Sequence, residues 1–176
     1  MIFVSLLRGI NVSGQKKIKM ADLKVLYENL GLANVITYIQ SGNVIFESGN
    51  SADDLIKQIE TAIQKEYGFD VSIQVIALED LIRIASENPF LPADDISKLH
   101  LTLLETKPDE NLVKNIVSDP KSDDEFKVIG KAIYLKCPNG YGRTKLTNTF
   151  FESKLKIKAT TRNWKTVLKL VELSNE

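Results

Sequence analysis

Apolar residues in the first half of the chain alternate between strand-like and helix-like spacing. Residues 2–7 form an almost continuous apolar run, which is typical of a strand covered on both faces. Leu23, Leu26 and Leu30 predict a helix over residues 21–30, and a second helix extends to about Tyr67 with Ser51 or Asp53 as its cap. Three further segments have the composition of strands, namely 35–39, 44–47 and 71–76. The predicted order is β-α-β-β-α-β, the ferredoxin-like arrangement.

The order then begins again. A helix over 78–87 and a Pro-containing linker precede a predicted strand at 100–104, and Pro108 opens a helix over 109–117. Strands at 126–129 and 132–136 flank Gly130-Lys131, which aligns with the turn at Gly42. We interpret this as an approximate internal duplication, with chance likeness as the alternative.

The end of the second half departs from the first. It is predicted to contain a helix over 145–154 and a final helix that opens at Thr160–Trp164, with Thr161 as its cap. Trp164, Val167, Leu168 and Val171 are expected on one face of that helix. The predicted fold class is α+β, with tandem ferredoxin-like subdomains and antiparallel sheets. The predicted domains are a subdomain at 1–77, a helix and linker at 78–97, and a second, modified subdomain at 98–176.

Charge is distributed unevenly along a chain of 176 residues whose net charge is zero. Residues 8–19 contain four basic residues and no acid, and residues 131–176 contain ten basic residues against three acidic ones. Residues 20–130 carry the compensating acidic excess. This asymmetry suggests an anionic partner at the basic ends, although lysine-rich solvated surface is the commoner cause of such asymmetry.

Motifs for catalysis, metals and membranes are missing from the sequence. No apolar run approaches the roughly 20 residues that span a bilayer, and no basic leader precedes the first strand, so we expect a cytoplasmic protein. The single cysteine, Cys137, fits a reducing compartment and has no nearby histidine to activate it. The only histidine, His100, lies inside a predicted strand and is expected to be packed. We expect no cofactor and no metal.

Topology predicts where a binding site would assemble. The end of the first strand, the start of the first helix at Ala21 and the turn of the first hairpin share one edge of a ferredoxin-like sheet. The cationic, amide and hydroxyl side chains expected there are Arg8, Asn11, Lys16, Lys17, Tyr38, Gln40, Ser41 and Asn43. Turn chemistry by itself also explains Ser41 and Asn43. Arg162 would supply a second guanidinium if the two halves face each other; salt bridging or capping by Arg8 and Arg162 is the alternative.

Three segments resemble the motifs of a known family. LLRGIN at residues 6–11, TYIQSGN at 37–43 and TTRNW at 160–164 are similar to those of the bacterial domain-of-unknown-function 1697 family. The resemblance implies a tandem α+β fold of ferredoxin-like type in a cytoplasmic protein. It implies no established activity, cofactor or catalytic residue.

The residues therefore favour an anion-binding module, for nucleic acid or a phosphorylated metabolite, with a basic, amide-rich cleft between two lobes. Thr161, Arg162, Asn163 and Trp164 complete the candidate ligand-binding set. One alternative is an enzyme of unknown reaction that acts on an anionic substrate through Arg, Asn and Gln electrostatics. Another is an assembly protein that pairs through its hairpin edges. An RNA-recognition mode is a poor match because Phe46 is the only aromatic residue of the third strand. No membrane partner is expected, and the sequence leaves the oligomeric state open.

Overall fold

The computed structural model describes residues 1–175, which divide into two compact units. The first unit comprises residues 1–83 and 170–175, and the second comprises residues 84–169. Each unit has one four-stranded antiparallel sheet with helices interleaved along the chain. The α+β class and the ferredoxin-like element order expected from the sequence are confirmed, whereas the domain boundaries at 77 and 97 stay predictions.

The first sheet has the strand order β2-β3-β1-β4. Its strands are β1 (Ile2–Leu7), β2 (Ala33–Tyr38), β3 (Asn43–Glu47) and β4 (Ile73–Ala77). Helix α1 (Met20–Asn29) connects β1 to β2, helix α2 (Ala52–Tyr67) connects β3 to β4, and helix α3 (Leu78–Ser86) follows β4. The hairpin β2–β3 therefore places its turn beside the end of β1, since β3 pairs antiparallel with β1 from Ile2↔Glu47 to Leu6↔Asn43.

The second sheet has the equivalent order, β6-β7-β5-β8. Its strands are β5 (Leu99–Leu104), β6 (Glu125–Ile129), β7 (Ala132–Lys136) and β8 (Ala159–Asn163). Helix α4 (Glu110–Lys114) lies between β5 and β6, helix α5 (Asn148–Leu155) lies between β7 and β8, and helix α6 (Trp164–Leu173) follows β8. Short 3₁₀ turns occupy Ile96–Lys98 and Tyr141–Arg143.

Aromatic residues on one face of the first sheet form the centre of its core. The Phe46 ring contacts Phe3 and Tyr27, with centroid separations of 5.9 and 5.5 Å. The buried Tyr27 hydroxyl shares a hydrogen bond of 2.9 Å with the Ser5 hydroxyl. Burial raises the pKa of Tyr27 well above its ordinary value, because the phenolate would lose its hydration, and the Ser5 hydrogen bond only partly opposes this. Phe46 is thus a core residue with no exposed ring face for a base.

Local signals place the ends of α2. The Ser51 hydroxyl accepts a hydrogen bond from the Asp54 amide at 3.2 Å, which confirms Ser51, rather than Asp53, as the cap. Gly68 ends the helix in a left-handed conformation, with φ +77°. These interactions involve residues close in sequence, so the pattern alone could predict them.

The C-terminal segment corrects the sequence prediction. Thr160, Thr161, Arg162 and Asn163 form most of strand β8, which pairs with β5, and α6 begins only at Trp164. Thr161 therefore lies in a strand and caps nothing. The two β-branched threonines suit a pleated strand better than the first turn of a helix. Leu168 is exposed, whereas Leu170 is buried on the inner face of α6.

Helices α4 and α5 are shorter than predicted. Helix α4 ends at Lys114 rather than Val117, and none of its residues is buried, so little tertiary packing supports a longer helix. Helix α5 begins at Asn148 rather than Lys145, because the Thr147 hydroxyl accepts a hydrogen bond from the Phe150 amide and caps the helix there.

Candidate functional site

The loop from Arg8 to Lys19, here called the basic loop, connects β1 to α1 and carries four cations. Its backbone changes the sign of φ repeatedly. Five of its residues have positive φ, namely Gly9, Asn11, Ser13, Gly14 and Lys16. Such alternation turns successive amide N–H groups toward a common concave side, which is the backbone arrangement of anion-binding nests.

Several amide groups of the basic loop remain available. Within residues 1–175 the amides of Ser13, Gly14, Lys16 and Lys17 donate no hydrogen bond. The first turn of α1 adds open N–H groups, because Lys19 occupies the N-cap position without a capping side-chain bond. Asp22 in that first turn partly offsets the positive end of the helix. The loop therefore offers donors to an acceptor outside the chain.

Asn11 holds the basic loop against the hairpin. Its side-chain amide donates to the carbonyl oxygens of Ile18 at 2.9 Å and Gln40 at 2.8 Å, and its side-chain oxygen accepts from the Ile18 amide at 2.9 Å. The left-handed φ of +56° is one that asparagine tolerates better than most residues. The structure thus brings Asn11 and Gln40 together as the topology predicts, but the side chain of Asn11 is occupied by internal bonds.

Gly42 allows the hairpin turn to approach β1 closely. The Leu7 amide donates to the Gly42 carbonyl at 2.8 Å. A Cβ atom at Gly42 would lie 2.7 Å from Ile10 Cδ1 and 2.8 Å from Leu7 Cβ, and φ is +84°. Only glycine fits this position without displacement of its neighbours.

The side chains of Asn43 and Ser41 are engaged within the hairpin turn. The side-chain amide of the buried Asn43 donates to the Tyr38 carbonyl at 2.9 Å and to the Ser41 hydroxyl at 3.1 Å. Gln40 is exposed, and Tyr38 and Ser41 are half-buried. Ile39 is exposed and has a φ of +49°, which is unusual for a β-branched residue. The turn residues chiefly set the shape of this edge.

The four cations of the basic loop differ in their contacts and in their exposure. Lys16 Nζ donates to the Asp70 carbonyl at 2.6 Å, so this lysine ties the loop to the segment before β4. Arg8 is half-buried, and its backbone amide donates to the Ser72 carbonyl at 2.9 Å. Lys17 and Lys19 are exposed. Lys16 is exposed as well, but its ammonium group is held by the Asp70 carbonyl.

In the second unit, Thr161 and Asn163 serve the fold. Thr161 shares a hydrogen bond of 2.6 Å with the Thr102 hydroxyl, and its hydroxyl lies 2.7 Å from Asn148 Oδ1. Asn163 Oδ1 accepts from the Lys165 amide at 2.9 Å and so caps α6. Its side-chain amide donates to the Ser97 carbonyl at 3.3 Å.

Arg162 and Trp164 belong to the buried part of the second unit. Arg162 is 9% exposed, and burial lowers the pKa of its guanidinium to about 10, because the charged form loses hydration. One guanidinium nitrogen donates to the Thr161 carbonyl at 3.0 Å. Trp164 is fully buried beside Tyr134, at a centroid separation of 6.4 Å.

Thr160 is a residue of this segment that sequence reasoning missed. Its hydroxyl and the indole N–H of Trp164 are buried without a hydrogen-bond partner among residues 1–175. Side chains alternate between the two faces of a strand, so a strand prediction for this segment would have placed Thr160 and Arg162 on one face of β8 and Thr161 on the other. That the basic loop and Arg162 line one cleft stays a prediction.

Burial disfavours the charged form of the two residues considered for covalent or acid–base chemistry, His100 and Cys137. Burial lowers the pKa of His100, with a backbone hydrogen bond at Lys98 opposing the effect, and its ring stacks on Tyr141 at 4.7 Å. Burial also raises the pKa of the Cys137 thiol; a Thr144 hydrogen bond opposes this, and the Asp124 charge adds to it. His100 is packed, as predicted.

Among residues 1–175, no three His, Cys, Asp or Glu side chains are grouped so that they could hold a metal ion. No helix within the same residues has the length and apolar character needed to cross a membrane.

The chain is similar to one known family and to a solved bacterial structure. The family model of the protein of unknown function DUF1697 matches residues 1–134. The chain is also similar to the solved structure of the conserved bacterial protein SP0830 from Streptococcus pneumoniae, with 26% sequence identity and a TM-score of 0.79. That similarity covers 99% of this chain and 98% of the other. No curated protein matches the chain.

Proposed function

The chain belongs to the DUF1697 family of proteins of unknown function. We propose that it binds the phosphate group of an anionic ligand at the basic loop. The ligand is a phosphorylated metabolite or a nucleic acid. The observation that carries the proposal is the group of open backbone amides in a loop with four cations and no acid.

The chemistry of the loop matches phosphate. Backbone N–H groups in a nest and at a helix N-terminus donate to anionic oxygens, and the helix dipole favours the same charge. Lys17 and Lys19 are exposed beside these donors, so they can contact phosphate oxygens without giving up an internal ion pair among residues 1–175. The side-chain amides of Asn11 and Asn43 hold the scaffold that presents the donors.

The test is a titration with inorganic phosphate, pyrophosphate, a mononucleotide and a single-stranded oligonucleotide at several salt concentrations. Backbone ¹H–¹⁵N spectra would follow the amides of Ser13, Gly14, Lys16 and Lys17, which should shift first. An oligonucleotide that contacts several lysines should show a salt slope of about −0.7 per neutralised phosphate, whereas a mononucleotide should show a shallower slope. The two ligand classes are thereby separated.

Matched variants locate the site. We expect the double substitution Lys17→Gln and Lys19→Gln to weaken binding, while Lys57→Gln and Lys65→Gln, at exposed positions of α2, leave it unchanged. Equal effects of both pairs, or no binding of any phosphate compound, would reject the proposal. Arg162→Gln is measured in the same titration; a loss there with the loop variants unaffected would assign the anion to β8 instead.

A further inference from the structure

A pocket in the second unit has no part in the proposed phosphate site. It lies between the loop after α4 and the beginning of α5, and its volume is about 330 Å³. This volume is at the lower end of the roughly 300–1,000 Å³ typical of small-molecule pockets. We propose that this pocket binds a small organic cation that combines one ammonium group with an apolar body.

Apolar side chains form much of the pocket surface. Leu146 is buried beneath it, and Phe150 is partly buried where α5 begins. Val117 borders the pocket and is 80% exposed, an unusual state for a large aliphatic side chain. An apolar ligand body would cover Val117 and contact Phe150, which removes apolar surface from water.

The charged groups of the pocket leave one carboxylate uncompensated. Asp119 is neutralised by Lys145, whose Nζ lies 2.7 Å from Asp119 Oδ2, and Asp119 also accepts a hydrogen bond from the Lys121 amide. These contacts hold the pKa of Asp119 below its ordinary value. Asp124 accepts a hydrogen bond of 2.6 Å from the Thr144 hydroxyl, and among residues 1–175 it has no ion-pair partner.

Asp124 therefore determines the sign of the charge that the ligand carries. It is half-buried at the pocket wall, where a carboxylate is less well hydrated than on an open surface. An anionic ligand would be repelled, and a neutral ligand would leave the carboxylate uncompensated. An ammonium group would pair with it. Lys154 lies 6.0 Å over the Phe150 ring and the Phe151 ring contacts it at a centroid separation of 5.2 Å, so a ligand would reach only the part of the Phe150 ring that lines the pocket.

The test uses three compounds of similar shape and different charge. Phenethylamine carries the ammonium, 2-phenylethanol is its neutral analogue and 3-phenylpropionate is its anionic analogue. Binding is measured by calorimetry and by ¹H–¹⁵N shifts on the full chain. We expect phenethylamine to bind and to shift the amides of Val117, Leu146 and Phe150, with the neutral analogue weaker by about tenfold or more because it lacks the charge-assisted contact.

Two substitutions of adjacent residues separate this contact from general charge. Asp124→Asn keeps an acceptor for Thr144, so the fold should persist, and it should lower phenethylamine affinity by about ten- to a hundredfold. Asp123→Asn, at the exposed neighbouring position, should have no effect. Phe150→Leu should weaken binding without changing any charge, and the Lys17 and Lys19 variants should leave it unaltered.

Several results would overturn the inference. These are absence of binding at millimolar phenethylamine, equal affinity for 2-phenylethanol, an unchanged affinity in a folded Asp124→Asn protein, or shifts that map outside the pocket. Tighter binding of Nα-acetyl-lysine amide than of phenethylamine would assign the pocket to a lysine of a peptide partner and would also reject the small-molecule assignment. Failure of the phosphate titration would leave this result intact, since the two sites share no residue.

Discussion

Replacement of Gly42 by alanine tests the packing on which the candidate site depends. The Gly42 backbone has a φ of +84°, and an added Cβ would lie 2.7 Å from Ile10 Cδ1 and 2.8 Å from Leu7 Cβ. Real Cβ atoms are almost never found at such separations. The turn, the end of β1 or the start of the basic loop must therefore move.

The size of the effect follows from two terms. A left-handed conformation costs an alanine about 1–2 kcal/mol, and overpacking of a well-packed site costs roughly another 1–3 kcal/mol. Gly68→Ala provides the control, because Gly68 has nearly the same φ, +77°, and no atom within 4 Å of its Cβ position. The control variant should show only the first term.

Urea and thermal unfolding followed by circular dichroism measure the difference. At about 2–4 °C per kcal/mol for a chain of this size, Gly42→Ala should melt roughly 2–12 °C below Gly68→Ala. The loss of stability in Gly42→Ala should also appear as faster hydrogen exchange of the backbone amides of β1 and β3. If Gly42→Ala is no less stable than Gly68→Ala, the close approach of the turn to β1 does not limit the size of the residue at position 42.

Three further predictions use the same unfolding measurements. In the folded chain the pKa of His100 is lowered from 6.5, so as the pH falls the unfolded chain takes up the proton before the folded chain does. The contribution of His100 to stability is therefore complete above pH 6.5 and is lost as the pH drops below it. His100→Phe should remove this part of the pH dependence of unfolding. Thr160→Val should be neutral or stabilising, because the buried Thr160 hydroxyl has no hydrogen-bond partner among residues 1–175. Thr102→Val should cost about 1 kcal/mol of unfolding free energy, because it breaks the 2.6 Å hydrogen bond to Thr161. Equal losses in the two variants would contradict the hydrogen-bond assignment. Asn11→Gly keeps the positive φ but loses three side-chain hydrogen bonds, so it should lower the free energy of unfolding by about 1–3 kcal/mol. It should also speed hydrogen exchange of the Ile18 amide, and an unchanged exchange rate there would refute the role of Asn11.

The balance between scaffold and ligand groups is the main lesson of the candidate site. Asn11 and Asn43 looked like donors for an anion, and both are occupied in holding the basic loop and the hairpin turn in place. Open backbone amides remain instead, and no residue type marks them in the sequence. Loop conformation, and not the identity of the polar side chains, is therefore the basis of the phosphate proposal.

Local interactions were sufficient for much of the fold. Strand β7 was predicted with the bounds Ala132–Lys136 that it has. Helix α2 was predicted with Ser51 or Asp53 as its cap, and Ser51 is the residue that caps it. The β2–β3 hairpin follows from its turn residues, and the ferredoxin-like order follows from the succession of elements. Each of these features depends on residues close in sequence, whose periodicity and turn chemistry act before any distant contact forms.

Tertiary pairing decided the rest. Residues 160–163 carry weak local signals and became a strand because β5 offers hydrogen-bond partners from His100↔Asn163 to Leu104↔Ala159. The use of Asn11 by the hairpin, the core position of Phe46 and the uncompensated charge of Asp124 likewise arise from residues far apart in the chain. The sequence by itself determined most of the elements and their order, with strand β8 as the exception. Only the folded chain decided which polar groups are left for a ligand, because that depends on which partners the fold brings within hydrogen-bonding distance.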